Sequence, residues 1–176
     1  MGFLTLRDRS VASTLAGGLA VFASASFTPA QADVSVALGN SSESTPVYKV
    51  EVDREFSLHQ WHPALSLRLA GGAMWLPGDD DDDNAALLIT PAFRYTFMSS
   101  SYRPFVEAGV GAAVFMNTHF ENRQLGSAFQ FEDRLAAGMR VGPGELGVSA
   151  IHYSNADIKS PNDGFEVYAV NYRLPL

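Results

Sequence analysis

The sequence predicts an all-β chain: an eight-stranded antiparallel transmembrane β-barrel of the outer-membrane type that follows a cleaved signal peptide. Three observations support this fold. Apolar side chains recur with a period of two, the alternate positions carry charges of both signs, and a signal-like segment opens the chain. Period two indicates strands, and eight strands make the smallest usual outer-membrane barrel.

Residues 1–32 have the parts of a secretory signal peptide. A basic part with Arg7 and Arg9 precedes a stretch of apolar and small residues, and Ala30-Gln31-Ala32 is a cleavage site of the A-x-A type. We therefore expect a barrel domain at 33–176, with 10 basic and 18 acidic residues. This acidic balance argues against nucleic acid as a partner.

Composition excludes several classes of protein. The chain of 176 residues contains no cysteine, which excludes a disulfide scaffold, a cysteine-ligated metal centre and a thiol nucleophile. After the signal-like segment, no stretch approaches the ~18 consecutive apolar residues of a membrane-spanning helix. A helical membrane protein is therefore excluded as well.

Eight segments alternate between apolar and other residues, and turn-forming stretches separate them. The predicted strands are 34–39, 47–53, 65–70, 87–97, 106–116, 132–139, 146–154 and 166–174. Short turns are expected at 99–103 and 142–145, and longer loops at 41–46, 77–84, 117–127 and 155–164. Outer-membrane barrels have short periplasmic turns and long outer loops, so this asymmetry of length also sets the orientation.

The alternate face of these strands distinguishes a membrane barrel from a soluble one. A small membrane barrel turns its apolar side chains to lipid and its polar ones inward. The predicted lumen residues are Lys49, Glu51, Arg68, Arg94, Glu107, Glu132, Arg134 and Arg173, and the aromatic residues expected near strand ends are Trp75, Tyr95, Tyr102, Tyr168 and Tyr172. A secreted lipocalin-like barrel with an apolar interior remains the alternative fold.

Three polar residues of the last hairpin lie on the apolar face. His152 and Ser154 are two apart and share the parity of Leu146, while Glu166 shares the parity of Tyr168. A charged residue that faces lipid is costly and therefore calls for a reason. One reason is that these positions lie beyond the bilayer edge, among hydrated headgroups. The other reason is that these residues take part in a reaction.

These residue types can perform acyl transfer. His152 would take the proton of the Ser154 hydroxyl, and Glu166 would hold the imidazole in the correct tautomer. Asn155, Asn162 and the backbone amides of Asp163 and Gly164 are candidate donors to the oxyanion. An active site that opens onto the outer leaflet meets esters already present there, and lipid A is the abundant candidate.

No metal or other cofactor is expected. The carboxylates of Asp79–Asp83 lack the spacing of an EF-hand loop, so a solvated loop is the favoured interpretation. His59 and His62 have no evident third ligand.

The second half of the chain resembles the lipid A 3-O-deacylase family, PagL. The resemblance is carried by 150–156 (AIHYSNA) and 159–166 (KSPNDGFE), with support from 104–111 (PFVEAGVG) and 131–134 (FEDR). In that family, an eight-stranded outer-membrane barrel removes the 3-hydroxyacyl chain ester-linked at position 3 of lipid A, using Ser, His and Glu without a cofactor.

The resemblance implies roles for individual residues. The three catalytic roles carry over onto Ser154, His152 and Glu166, an oxyanion role falls to Asn162, and Phe131 matches an aromatic position. The implied partners are lipid A or lipopolysaccharide as substrate and the lipid of the outer membrane, with the active site toward the outer leaflet. A homodimer is one assembly compatible with the sequence.

The chain departs from the family pattern at two places, the Asp79–Asp83 loop and its C-terminal residue, Leu176, where barrels commonly end in an aromatic. A non-catalytic structural or adhesion barrel is the alternative function. It predicts that His152 and Ser154 can be replaced without loss of function.

Overall fold

The computed structural model describes residues 32–78, 83–98 and 100–176. The predicted signal peptide lies outside the described residues except for Ala32, and so does the aspartate run except for Asp83. Across the described part of the chain, no helix is long and apolar enough to cross a bilayer.

Within the described residues, eight long antiparallel strands close into one barrel, which confirms the predicted fold. Their order around the barrel is β1-β10-β9-β8-β5-β4-β3-β2. The strands are β1 (Asp33–Ser41), β2 (Pro46–Ser57), β3 (Leu65–Leu76), β4 (Asn84–Thr96), β5 (Phe105–Phe115), β6 (His119–Phe120), β7 (Arg123–Gln124), β8 (Phe129–Val141), β9 (Gly144–Ser154) and β10 (Phe165–Pro175).

The short strands β6 and β7 pair with each other, as a hairpin inside the loop between β5 and β8. The sequence predicts an irregular loop there. Two residues per strand are too few to show a period in hydrophobicity, so this hairpin has no sequence signal.

The predicted lumen charges all point inward, and they form a continuous ion-pair network. Glu51 contacts Lys49 at 3.4 Å, Arg68 at 3.3 Å and Arg134. Asp53 contacts Arg68 at 2.9 Å and Arg173 at 2.6 Å. Buried charges need such pairing because water is not there to solvate them.

The outer wall carries the exposed apolar side chains. Residues such as Leu87, Val110, Leu135 and Val148 are each more than half exposed. A continuous apolar belt of this kind suits contact with hydrocarbon, as in other membrane barrels.

An apolar cluster fills the loop end of the lumen, directly behind the last hairpin. The rings of Tyr153 and Phe165 stack with centroids 5.2 Å apart, and Phe115 meets both rings edge-on. The Tyr153 hydroxyl also donates to Glu132 at 2.9 Å. Because all three aromatic side chains are almost fully buried, the ends of β9 and β10 are held firmly against the barrel.

Candidate active site

The register between β9 and β10 brings two of the predicted catalytic residues together. Glu166 lies directly opposite His152, and the inward neighbours Tyr153 and Phe165 belong to the buried aromatic cluster. Both polar side chains therefore point to the outer wall, where each is 42% exposed. The parity of the sequence predicts this face, but only the register shows that the two residues are neighbours.

A hydrogen bond links these side chains. The Nδ1 atom of His152 lies 3.1 Å from Oε1 of Glu166. An ionised carboxylate can only accept, so the proton belongs on Nδ1. The Nε2 atom is then left as the acceptor, which is the tautomer that a general base needs.

Ser154 lies on the same outer face, two residues beyond His152 and directly opposite Phe131 of β8. Within the described residues, no hydrogen bond involves its hydroxyl. Bonds between a nucleophile and its base are often long without substrate and tighten in the reacting complex. Ser154 thus presents a partly exposed hydroxyl on the same face of β9 as His152.

Asn155 shapes the loop that follows. It is fully buried, and its Nδ2 group donates to the carbonyls of Leu125 at 2.8 Å and Lys159 at 2.7 Å. Both of its amide protons are thereby used. Asn162 stands beside it: its Oδ1 accepts from the Asn155 N–H at 2.8 Å, and its Nδ2 donates to Asp157 at 3.1 Å.

Gly164 passes close to the His152 imidazole. A Cβ atom at this position would lie 2.8 Å from the Tyr153 carbonyl oxygen and 2.9 Å from Cε1 of His152, so any larger residue would require the backbone or the ring to move. The Asp163 N–H donates to the Gln124 carbonyl at 3.1 Å. The Gly164 N–H, in contrast, has no acceptor among the described residues, which leaves it available to a ligand.

The β6–β7 hairpin holds this glycine in place. Arg123 donates to the Gly164 carbonyl at 3.3 Å, and the same guanidinium is fixed by Glu43, with N–O distances of 2.7 and 2.6 Å. Next to it, the Gln124 N–H donates to the Asp163 carboxylate at 3.1 Å. Sequence reasoning missed Arg123 because these contacts join three separate loops.

A groove of about 670 Å³ runs along the outer wall from the His152–Glu166 pair. Large and small side chains alternate around it, because the register places one residue from each of five neighbouring strands in a row. In order from β4 to β10, these residues are Phe93, Ala108, Leu135, Ala150 and Tyr168. Its lining is mainly apolar, so the groove suits a hydrocarbon chain that reaches the imidazole from the membrane.

Asp133 also lines this groove, directly opposite His152 on the side away from Glu166. Sequence reasoning missed it as a site residue. A signal existed, because Asp133 shares the parity of Leu135 and interrupts an apolar stripe in the same way as His152 and Glu166 do.

The histidines His59 and His62, considered above as metal ligands, lie far along the chain from this site. His62 accepts a hydrogen bond from the Ala64 N–H at 3.1 Å, and its ring packs against Tyr95. Among the described residues, no group of three or more potential ligands could hold a metal ion.

Comparison with known proteins gives consistent matches. The family model described as Lipid A 3-O-deacylase (PagL) matches residues 47–175. The chain is 39% identical to Lipid A deacylase PagL of Pseudomonas aeruginosa over 165 residues, which is 90% of this chain and 95% of that protein. It is 40% identical to Lipid A deacylase PagL of Bordetella bronchiseptica over 83 residues, 47% of this chain and 45% of that one.

A solved structure agrees with these sequence matches. The crystal structure of the outer membrane enzyme PagL superposes with a TM-score of 0.73 at 35% identity, covering 82% of this chain and 99% of that one.

Proposed function

The chain belongs to the lipid A 3-O-deacylase (PagL) family, and on that premise we propose that a Ser154-His152-Glu166 triad on the outer wall carries its reaction. The protein is an outer-membrane β-barrel enzyme, a lipid A 3-O-deacylase. The observation that supports the triad most directly is the 3.1 Å contact between His152 Nδ1 and Glu166 beside a serine on the same face.

In the first step, Ser154 Oγ attacks the carbonyl carbon of the ester at position 3 of lipid A. His152 Nε2 takes the hydroxyl proton as the new C–O bond forms. The imidazolium then gives this proton to the sugar oxygen as the ester bond breaks. The sugar leaves as an alcohol, and the 3-hydroxyacyl chain stays on Ser154 as an acyl-enzyme.

In the second step, a water molecule loses a proton to His152 and attacks the acyl-enzyme. The free 3-hydroxy fatty acid leaves, and the proton returns to Ser154. Glu166 accepts the Nδ1 hydrogen bond throughout, which keeps the tautomer and stabilises the imidazolium.

Each step forms an oxyanion that needs donors. The Gly164 N–H is one donor, because this residue lies beside the imidazole and its N–H has no acceptor of its own within the described residues. Asn162 is the second donor, since its Nδ2 has one proton beyond the one given to Asp157. Asn155 acts indirectly, by fixing the loop through its two carbonyl contacts.

The substrate approaches from the membrane. The scissile acyl chain occupies the apolar groove below the triad, and the glucosamine lies above it at the level of the headgroups of the outer leaflet. Phe131, opposite Ser154, forms the upper edge of the chain's binding surface. Because lipid A is already embedded in the leaflet, burial of its acyl chain in the groove requires little desolvation.

Mass spectrometry of lipid A from a Gram-negative host that expresses the full chain tests this proposal. The wild type should remove one 3-hydroxyacyl group from lipid A, and Ser154→Ala should remove none. Ser149→Ala is the matched control, because Ser149 lies on the same strand but faces the lumen, where its hydroxyl contacts Asn171 at 3.3 Å.

Equal amounts of each variant in the outer-membrane fraction must be shown first. Ser149→Ala should then behave as the wild type does. Deacylation of lipid A by Ser154→Ala would overturn the assignment of the nucleophile.

A further inference from the structure

We infer that Asp133 recognises the substrate by accepting a hydrogen bond from a hydroxyl or amide N–H next to the scissile ester. This inference rests on the proposed function of the triad. Asp133 belongs to β8, and its cross-strand neighbour on β9 is His152. Directly opposed residues of antiparallel strands have their Cβ atoms about 5 Å apart, so a group held by Asp133 is adjacent to the reacting atoms.

His152 is thus flanked by two carboxylates in one row across the wall, Asp133 on β8 and Glu166 on β10. Among the described residues, only Glu166 bonds to the ring. The imidazole needs one carboxylate for its tautomer, and that need is already met. Asp133 is therefore left for a different task.

Asp133 has no partner within the described part of the chain, neither a hydrogen bond nor an ion pair, and its side chain is exposed. Its neighbour in sequence shows how unusual this is for a carboxylate of the barrel. Glu132 points into the lumen and contacts Arg134 at 2.6 Å, Thr90 at 2.9 Å and Tyr153 at 2.9 Å.

The position also makes an unpartnered carboxylate costly once substrate arrives. Asp133 lines the groove between apolar neighbours, with Phe131 and Leu135 before and after it on the same face of β8. A bound acyl chain would remove water from the carboxylate. A desolvated charge is tolerated only when the ligand replaces those hydrogen bonds, so the bound molecule must present a donor here.

The chemistry of the ligand follows from the acceptor. An ionised carboxylate accepts only, so its complement is a neutral donor, whereas a phosphate would be repelled. A 3-O-acylated glucosamine lipid carries two suitable donors close to the ester. One is the amide N–H at position 2 of the sugar, and the other is the hydroxyl on the third carbon of the acyl chain.

Four synthetic esters of equal chain length test this inference and identify the donor. They combine a 3-hydroxyacyl or a plain acyl chain at O3 with an amide N–H or an ether oxygen at position 2. Purified full-length wild type, Asp133→Leu and Asp133→Asn are assayed for kcat/KM on each ester in detergent micelles. Leu135→Ala is the matched variant on the same strand, because it alters the groove without removing an acceptor.

The wild type should lose roughly 10- to 100-fold in kcat/KM when the recognised donor is deleted from the ester, as expected for a hydrogen bond to a charged group. Asp133→Leu should hydrolyse all four esters with the low kcat/KM that the wild type shows without the donor. Deletion of the donor should therefore leave its kcat/KM unchanged. Asp133→Asn, which keeps the shape and an uncharged acceptor, should show an intermediate preference. Leu135→Ala should keep the full preference at a lower rate.

The donor, either the chain hydroxyl or the sugar amide N–H, is the group whose deletion lowers kcat/KM of the wild type but not of Asp133→Leu. The inference is overturned if deletion of neither donor has this effect, that is, if Asp133→Leu lowers kcat/KM by the same factor on all four esters. That result would make Asp133 a group that acts on His152 rather than on the substrate. Failure of the proposed function would look different, because Ser154→Ala would then hydrolyse these esters.

Discussion

The lumen and the outer wall of this barrel use the same residue types in opposite ways. In the lumen, Glu51 is almost fully buried and contacts three cationic side chains. On the outer wall, His152 and Glu166 are 42% exposed and share one hydrogen bond. Beside them, the Ser154 hydroxyl and the Asp133 carboxylate have no partner within the described residues.

The difference distinguishes structural polar groups from reactive ones. A charge inside a narrow lumen must find its partners within the protein. Once those partners occupy its hydrogen-bonding positions, it has none left for a substrate. A group that acts on substrate must keep a hydrogen-bonding position open, since catalysis depends on interactions formed as the reaction proceeds. An unsatisfied polar group on an otherwise apolar wall is therefore informative about function.

The largest expected effect comes from removing the general base. His152→Asn should lower kcat/KM for lipid A on the order of 10⁵-fold, because nucleophile and base act as one unit. The urea midpoint of unfolding should stay within error of the wild type, since the imidazole is half exposed and, among the residues that the structure describes, bonds only to Glu166. A variant that keeps a tenth of the wild-type rate would remove His152 from the mechanism.

Glu166→Gln should have the next largest effect, roughly 10⁴-fold in kcat. A glutamine at this position can donate a hydrogen bond to Nδ1, which moves the imidazole proton to Nε2 and blocks the base. Glu166→Asp keeps the acceptor at a shorter reach and should be much less impaired. Steady-state kinetics on purified enzyme separates the two. Equal activity of Glu166→Gln and Glu166→Asp would show that Glu166 does not control the tautomer of His152.

Glu51→Leu probes the lumen and should change stability rather than rate. Three cations would lose their shared carboxylate, and removal of one partner from a buried charge network costs about 3–5 kcal/mol of unfolding free energy. Urea titration of the barrel measures this loss, and the folded fraction should still deacylate lipid A. Glu51→Gln, which preserves the shape, should lose less. Unfolding at the wild-type urea concentration would contradict the structural role.

Arg123→Gln should have the smallest effect, roughly a 10-fold decrease in kcat with KM unchanged. The guanidinium holds the Gly164 carbonyl, so its loss should loosen a donor needed mainly in the transition state. Lys159→Gln is the control, because it removes a cation from the loop that contains Gly164 without removing a bond to Gly164. An increase in KM alone would indicate that Arg123 binds the substrate directly.

Much of the fold could be predicted from the sequence. Alternation is a local property of a strand, and it revealed eight strands, their two faces and the charged lumen. The same parity assigned His152, Ser154 and Glu166 to the outer wall. It applies equally to Asp133, whose carboxylate interrupts the same apolar face between the lumen residues Glu132 and Arg134.

The loop contacts around the site could not be predicted in this way. Arg123 reaches Glu43 and Gly164 from a hairpin of two-residue strands, and Asn155 uses both amide protons within its loop. Such contacts depend on how three loops pack over the end of the barrel. No period in the sequence encodes them.

The sequence by itself determined which face each strand residue occupies, because successive side chains of a strand point to opposite sides whatever the strand pairs with. Only the tertiary structure decided which residues of that face stand next to each other. Register depends on loop path and barrel closure, and it set Glu166 on one side of His152 and Asp133 on the other.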